Sequence, residues 1–158
     1  MAAVVRQVMT EHGAVGPGYS INDPEVDALS AAYSAPRHAF FVVVEPGSDG
    51  TERVLGGAGI APLASGDATT CELRKMYFLP EARGRGLGRQ MLARCIESAR
   101  GFGFDRCYLE TLASMGDAAR LYEAAGFRRL GAPLGATGHF TCNRWYLLDV
   151  PGAARVSP

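Results

Sequence analysis

The hydrophobic pattern of the first half of the chain predicts two short helices followed by three strands. Apolar residues recur on one helical face near the N-terminus, and Gly13 ends that helix. A second helix is predicted from Pro24 to near Pro36, with Asp23 as its N-cap, because proline suits the first helical position. The predicted strands are residues 38–45, 53–62 and 70–79. This half therefore predicts two helices before an antiparallel meander.

The second half of the chain alternates strands and helices. Amphipathic helices are predicted to begin at Leu87 and at Asp117, and the second ends with Gly126 at its C′ position. The strands that accompany them are residues 106–111 and 144–150. The whole order predicts an α/β (α+β) fold in which a central mixed, mostly antiparallel sheet is flanked by helices.

Length and composition limit the classes of protein that fit. The 158 residues suit one domain, predicted to span residues 1–150, with residues 151–158 as a loose tail. Sixteen Lys and Arg residues balance sixteen Asp and Glu residues, whereas a nucleic-acid-binding protein typically has a basic excess. No apolar run approaches the ~20 residues that span a bilayer, and the N-terminus lacks a secretory layout. We therefore expect a cytoplasmic protein without nucleic-acid or membrane partners.

The four cysteines are scattered along the chain without a CxxC pair, at Cys71, Cys95, Cys107 and Cys142. Zinc sites use closely spaced Cys and His ligands, and disulfide frameworks are typical of shorter secreted chains. The sequence therefore predicts free thiols and no metal site.

The most informative segment is a glycine-rich turn between the third strand and the next helix, Arg83-Gly84-Arg85-Gly86-Leu87-Gly88-Arg89. Glycines let backbone N–H groups approach a ligand, and a helix N-terminus directs unpaired donors toward it. Arg83, Arg85 and Arg89 add guanidinium groups that suit phosphate. The segment lacks both the Gly-Lys-Ser/Thr of a P-loop and the GxGxxG spacing of a dinucleotide-binding turn. It therefore predicts a pyrophosphate site of another kind.

This turn resembles the acetyl-CoA signature, Arg-x-x-Gly-x-Gly, of the GCN5-related N-acetyltransferase (GNAT) family. Leu121 to Phe127 match a second family motif, Leu-Tyr-x-x-x-Gly-Phe, at the expected distance and on a predicted helix. The resemblance covers roughly residues 72–150. Residues 18–29, 56–63 and 137–150 are similar to a subgroup of small bacterial members that is associated with acetylation of small amines.

The resemblance implies an enzyme that uses acetyl-CoA as co-substrate and no metal. It would transfer the acetyl group to a primary amine of a small molecule, such as an amino acid, by direct attack in a ternary complex. The turn at residues 83–89 would hold the pyrophosphate, the main chain of Met76, Tyr77 and Phe78 would pair with the pantetheine arm, and Ala118 would let CoA approach. A homodimer is the oligomer expected from the family. Acetylation of a protein N-terminus or lysine, and a non-catalytic CoA sensor, are the alternatives.

The resemblance also assigns the groups that handle protons. Tyr122 is the predicted acid, because a phenol with a pKa near ~10 is protonated at neutral pH and can donate to the CoA sulfur. The base is Glu72 or Glu110, and a water chain is a third possibility. Each glutamate is also consistent with an ion pair or with a contact to the substrate ammonium. His139, in a glycine-flanked loop, is predicted to contact the acceptor amine or to act as a base, and an ordinary loop histidine is the alternative.

Two features depart from the family. Members usually begin with a β-strand before the first helix, whereas this chain begins inside the predicted helix, so the first strand is expected to be absent and a sheet edge exposed. Many members also have an asparagine seven residues before the motif tyrosine, where it contacts the pantetheine. Met115 stands at that position, and Ser114 or main-chain groups would have to substitute.

Overall fold

The computed structural model describes residues 1–150, and the predicted tail at 151–158 lies outside the described residues. The helices are α1 (Ala2–Glu11), α2 (Leu29–Ala32), α3 (Leu87–Gly101) and α4 (Gly116–Ala124). The strands are β1 (Ala39–Pro46), β2 (Glu52–Pro62), β3 (Thr70–Phe78), β4 (Arg106–Thr111), β5 (Arg128–Leu130) and β6 (Arg144–Asp149). The predicted α/β architecture is confirmed.

The six strands form one sheet in the order β1-β2-β3-β4-β6-β5. All neighbouring strands are antiparallel except β3 and β4, which are parallel, so the sheet is mixed and mostly antiparallel as predicted. The parallel pair is short: it runs from Thr70 opposite Arg106 to Glu72 opposite Tyr108. Beyond this point both strands continue without pairing to each other, so the sheet opens at its centre.

Helices cover both faces of the sheet. On one face, buried residues of α3 pack against β2, β3 and β4, with Cys95 and Ala99 fully buried beside Ile60. On the other face, Val4 and Val8 of α1 pack against Leu55 and other residues near β2 and β3. The motif tyrosine of α4 joins the α3 core, which ties α4 to the sheet on that side.

The prediction of one helix from Pro24 to Pro36 is wrong. The segment instead forms a 3₁₀ turn, Pro24–Asp27, and the four-residue α2, separated by Ala28, whose φ of −133° and ψ of 35° are not helical. Asp23 does not cap a helix through its side chain. Its carboxylate instead accepts hydrogen bonds from Lys75 and His139, so long-range ion pairs override the local capping signal.

The strand β5 was not predicted from the sequence. It is only three residues long, Arg-Arg-Leu, and it has no alternation of apolar and polar residues. It pairs with β6 through Arg129 opposite Tyr146. The pairing partner therefore determines this strand, and its own sequence does not.

The strand β1 lies at one edge of the sheet and pairs with β2 alone among the described residues. Val42 and Val44 on this strand are 47% and 40% exposed. This edge agrees with the predicted exposed sheet edge. In the described part of the chain, no helix combines the length and apolar character needed to cross a bilayer.

Candidate active site

Two cavities meet where β3 and β4 separate. The smaller, of about 50 Å³, lies between the strands and the loops that cover them. The larger, of about 270 Å³, opens beside the glycine-rich turn and the start of α4. The two cavities share a wall made by Met76, Tyr77, Met115, Ala118 and Tyr122. A ligand in the larger cavity can therefore reach a second ligand in the smaller one across this wall.

The glycine-rich turn leads into α3 with a backbone conformation that requires glycine at two positions. Gly84 and Gly86 have φ angles of 73° and 76°, which side-chain-bearing residues rarely adopt, and Gly86 is the N-cap residue of α3. Gly88, in the first turn of α3, lines the larger cavity beside Leu121 of α4. The N–H groups of a first helical turn have no partner within the helix, so this turn can offer a donor to a ligand there.

Only part of the predicted acetyl-CoA-binding set lines the larger cavity. Met76, Tyr77, Phe78, Arg83, Gly84, Gly88 and Ala118 do so. Arg83 is held in place, because its Nε donates to the Phe78 carbonyl at 3.0 Å and its Nη2 lies 2.6 Å from a Glu11 carboxylate oxygen.

The remaining members, Arg85, Gly86, Leu87 and Arg89, are outside the lining. Arg85 is half exposed and its Nη1 lies 3.5 Å from a carboxylate oxygen of Glu45 at the sheet edge.

Tyr122 occupies the wall between the two cavities. Its side chain is 5% exposed, and its ring makes tilted contacts with Phe127 and Tyr146 at centroid distances of 5.9 and 6.1 Å. Burial raises the pKa of its hydroxyl well above the ordinary tyrosine value. The group is therefore protonated at neutral pH and can act only as a proton donor at the start of a reaction.

The two candidate bases both line the smaller cavity. Glu72 is 2% exposed and its Oε2 accepts a hydrogen bond from Arg74 Nε at 2.7 Å. Burial raises the pKa of Glu72 above its usual range, although Arg74 opposes the shift, and the charge of Glu110 adds to it. Glu110 is half-buried and accepts a hydrogen bond from the Tyr108 hydroxyl at 2.7 Å. The break in the β3–β4 pairing thus brings the two carboxylates to one cavity.

A buried ion cluster beside the smaller cavity was missed by the sequence analysis. Its centre is Lys75, which is 4% exposed and has a φ of 54° at a bulge in β3. Lys75 Nζ contacts a carboxylate oxygen of Asp23 and lies 3.1 Å from a carboxylate oxygen of Glu25. The same Asp23 oxygen lies 2.9 Å from His139 Nε2. The one sequence signal was a lysine inside an otherwise buried strand, which requires a partner.

His139 lines the smaller cavity, as expected for a residue that contacts the acceptor. Its side chain is 12% exposed, and the hydrogen bond to Asp23 raises its pKa above the ordinary histidine value. The pKa of Asp23 is lowered: burial pushes it upward, but the bonds to His139 and Lys75 outweigh that effect. Each group therefore favours the charged form of the other.

Two loops meet over the smaller cavity. Thr141 Oγ1 donates to the Gly18 carbonyl at 2.6 Å. The Phe140 ring covers Gly18 so closely that a Cβ there would lie 2.6 Å from it, and Gly18 has a φ of +81°. With the Asp23–His139 bond, these contacts join residues 18–23 to residues 139–141. Because Tyr19 and Cys142 also line the cavity, the joined loops form its cover.

Met115 lies in the shared wall, at the position where many family members have asparagine. Its sulfur lies 3.7 Å from the Thr111 hydroxyl, which donates to it. Ser114 lines the larger cavity, so it stands where a substitute for that asparagine is needed. The predicted substitution stays a prediction.

Comparison with known proteins identifies the class. The model of the acetyltransferase (GNAT) family matches residues 7–127, which is more than half of the chain. The chain therefore belongs to the GNAT acetyltransferase family. As a member, it is an N-acetyltransferase that uses acetyl-CoA as its co-substrate.

Individual relatives agree with this assignment. The chain is 46% identical over 143 residues to the uncharacterized N-acetyltransferase YjgM of Escherichia coli K12, covering 90% of this chain and 83% of the relative. An N-acetyltransferase of Streptomyces griseus is 30% identical over 120 residues, or 73% of this chain and 61% of the relative.

Solved structures share the fold. A GNAT-family acetyltransferase from Staphylococcus aureus Mu50 has a TM-score of 0.79 at 18% identity, with 94% of this chain and 89% of the other covered. The structure of YncA from Salmonella typhimurium with its cofactor acetyl-CoA has a TM-score of 0.67 at 22% identity, with 99% and 91% covered.

Replacing Asp23 by Asn tests the ion cluster. The free energy of unfolding should fall by about 2–3 kcal/mol, because Lys75 and His139 lose a buried charged partner. The pKa of His139 is higher in the folded protein than in the unfolded chain, where it is about 6.5. The stability that His139 contributes is therefore fully present below pH ~6.5 and is lost as the pH rises through the pKa of the folded state. Urea denaturation should therefore show a larger deficit near pH ~5.5 than near pH ~9.

Asp27→Asn is the matched control, because the Arg6–Asp27 pair is exposed on the same part of the chain. It should change stability little and without this pH trend. A deficit for Asp23→Asn that does not vary with pH would contradict the role given to His139.

Proposed function

We propose that this N-acetyltransferase transfers the acetyl group to the primary amine of a small molecule by direct attack in a ternary complex. The observation that supports the proposal is the junction of the two cavities at Tyr122. One cavity suits the acetyl donor, and the other holds two carboxylates that suit an ammonium ion. Direct attack requires both substrates to be bound at once, and adjoining cavities allow this.

The larger cavity fits acetyl-CoA. Gly88 in the first turn of α3 and Arg83 line this cavity, and a helix N-terminal amide together with a guanidinium suits a diphosphate. The main chain of Met76, Tyr77 and Phe78 faces the gap between β3 and β4, where it has no partner from β4 and can pair with an amide-containing arm. When bound, acetyl-CoA supplies an activated carbonyl carbon, to which the amine nitrogen bonds as the carbon–sulfur bond breaks.

The acceptor amine must lose a proton before it attacks, because an ammonium ion has no free electron pair. We assign this proton to Glu72, directly or through water, because its raised pKa makes it a stronger base than an exposed glutamate. Tyr122 then protonates the leaving sulfur. The second amine proton restores Tyr122 as the amide forms, and the proton on Glu72 passes to solvent.

The size of the acceptor follows from the cover over the smaller cavity. A protein N-terminus or lysine would need an open groove with strand edges that can pair with a peptide. Here residues 18–23 and 139–141 are joined above a space of only about 50 Å³. A small amine that enters when the loops separate fits this arrangement better than a polypeptide.

Turnover with a panel of acceptors tests the proposal. Acetyl-CoA at saturation should raise the melting temperature, since it binds only the folded protein. Release of CoA should then be faster with at least one small primary amine than with short peptides of matched charge. A melting shift with turnover on peptides alone would indicate a protein acceptor, and a shift without any turnover would indicate a non-catalytic sensor.

Replacing Tyr122 by Phe should lower kcat by about two to four orders of magnitude, because general acid catalysis contributes about that much. The melting shift with acetyl-CoA should be retained, since the phenyl ring still fills the core. Tyr146→Phe is the matched control: Tyr146 is equally buried and contacts the Tyr122 ring, but it lines neither cavity. Equal loss in both variants would show that packing, and not proton donation, explains the effect.

Replacing Glu72 by Gln should change the pH dependence of kcat. In the unmodified enzyme kcat should rise with pH along a limb whose apparent pKa lies above the ordinary glutamate value, because Glu72 accepts a proton only when ionised. Glu72→Gln should lose this limb and have a lower plateau. Glu97→Gln is the control, because Glu97 forms an exposed surface pair with Arg94, and it should keep the limb and the plateau of the unmodified enzyme. If Glu110→Gln loses the limb and Glu72→Gln keeps it, the base is Glu110.

A further inference from the structure

The charges around the smaller cavity are almost completely paired. The acidic and basic side chains in its lining are Glu72, Arg74, Lys75, Glu110 and His139. Arg74 Nε lies 2.7 Å from Glu72, and the Arg74 side chain is 19% exposed. Lys75 and His139 are neutralised from behind by Asp23 and Glu25. Every cation in the lining thus already has a carboxylate partner.

Glu110 is the exception. Among residues 1–150 it has no ion-pair partner, and its Oε1 accepts a hydrogen bond from the uncharged Tyr108 hydroxyl. Its side chain is partly exposed and lines the cavity, so a ligand there can contact it. A cationic ligand in the cavity would supply the missing charge.

We propose that the acceptor is a small primary amine without a carboxylate or other anionic group on the carbon that bears the nitrogen, and that Glu110 binds its ammonium group. Alkylamines, amino alcohols and amino acid amides belong to this class, whereas free α-amino acids do not. The inference rests on the proposed function, since it concerns the acceptor of the same reaction.

The selectivity follows from what each acceptor group would meet. An ammonium ion can pair with Glu110 without disturbing any existing contact. A carboxylate two bonds from the nitrogen would enter the same cavity and lie near Glu72 and Glu110. The cations that it could reach already have carboxylate partners, so it would have to share Arg74 with Glu72, or Lys75 or His139 with Asp23. Two carboxylates on one cation leave a net negative charge in a partly buried cavity, which disfavours this acceptor.

Matched acceptor triplets test this inference with the full-length enzyme. Each triplet contains an α-amino acid, its primary amide and the corresponding decarboxylated amine, for example leucine, leucinamide and 3-methylbutylamine, with similar sets for alanine and phenylalanine. Values of kcat/KM are compared per concentration of the ammonium form, because that is the form Glu110 is proposed to bind and the three amines differ in pKa. The amide and the amine should exceed the amino acid by about tenfold or more in the best triplet. A smaller ratio, or a preference for the amino acid, overturns the inference and leaves the proposed function intact.

Glu110→Gln provides the second readout. KM for the amide should rise by about tenfold, and the preference for the amide over the amino acid should shrink, because the variant lacks the carboxylate that has no cation partner among the described residues of the lining. Glu123→Gln is the control, since Glu123 bonds to Tyr146 and lines neither cavity. The melting shift with acetyl-CoA confirms that each variant is folded. An unchanged preference in Glu110→Gln would refute the role of Glu110, and lack of turnover with every triplet would refute the proposed function and this inference together.

Discussion

The interruption of hydrogen bonding between β3 and β4 is the feature on which the site depends. Three residue pairs hold the strands together, and after Glu72 and Tyr108 they separate. The gap exposes main-chain groups of β3 to one cavity and directs side chains of both strands into the other. Because the gap lies in the middle of the sheet, it is supported on both faces by α1 and α3. A continuous sheet of the same sequence would have no place for two substrates to meet.

Most of the fold could be predicted because its elements have strong local signals. The three meander strands and the helix α3 agree with the structure to within a residue or two at each end. The failures have a common cause. Asp23 was read as a helix cap, but its partners are Lys75 and His139, which lie 52 and 116 residues away. The strand β5 likewise depends on β6 for its existence. Contacts between distant segments decide these parts, and one sequence does not show them.

The residues of the candidate site likewise fall into those that local motifs predict and those that depend on distant neighbours. The glycine-rich turn and the tyrosine motif have fixed spacings, so Arg83, Gly88 and Tyr122 could be selected, and the structure places them around the two cavities. The two glutamates could not be ranked, because their difference lies in the neighbours. Glu72 is paired with Arg74, and Glu110 has only a neutral hydroxyl. The pairing of charges in the cavity follows only from the folded arrangement, and it changes the proposed acceptor from an amino acid to an amine that lacks the carboxylate.

The bulge in β3 has an effect on the faces of the sheet. Gly57 and Gly59 of β2 are two residues apart, whereas the residues of β3 that pair with them, Tyr77 and Arg74, are three apart. The strand β3 therefore has one extra residue between these pairs. The extra residue reverses the alternation of side chains along the rest of the strand. Lys75 is thereby buried against Asp23 and Glu25, and Met76 to Phe78 take the opposite faces from those that an unbroken alternation would give them. Lys75 is thus a spacer in the backbone as well as a charge, and shortening the chain there by one residue would exchange the two faces of everything from Met76 to Phe78.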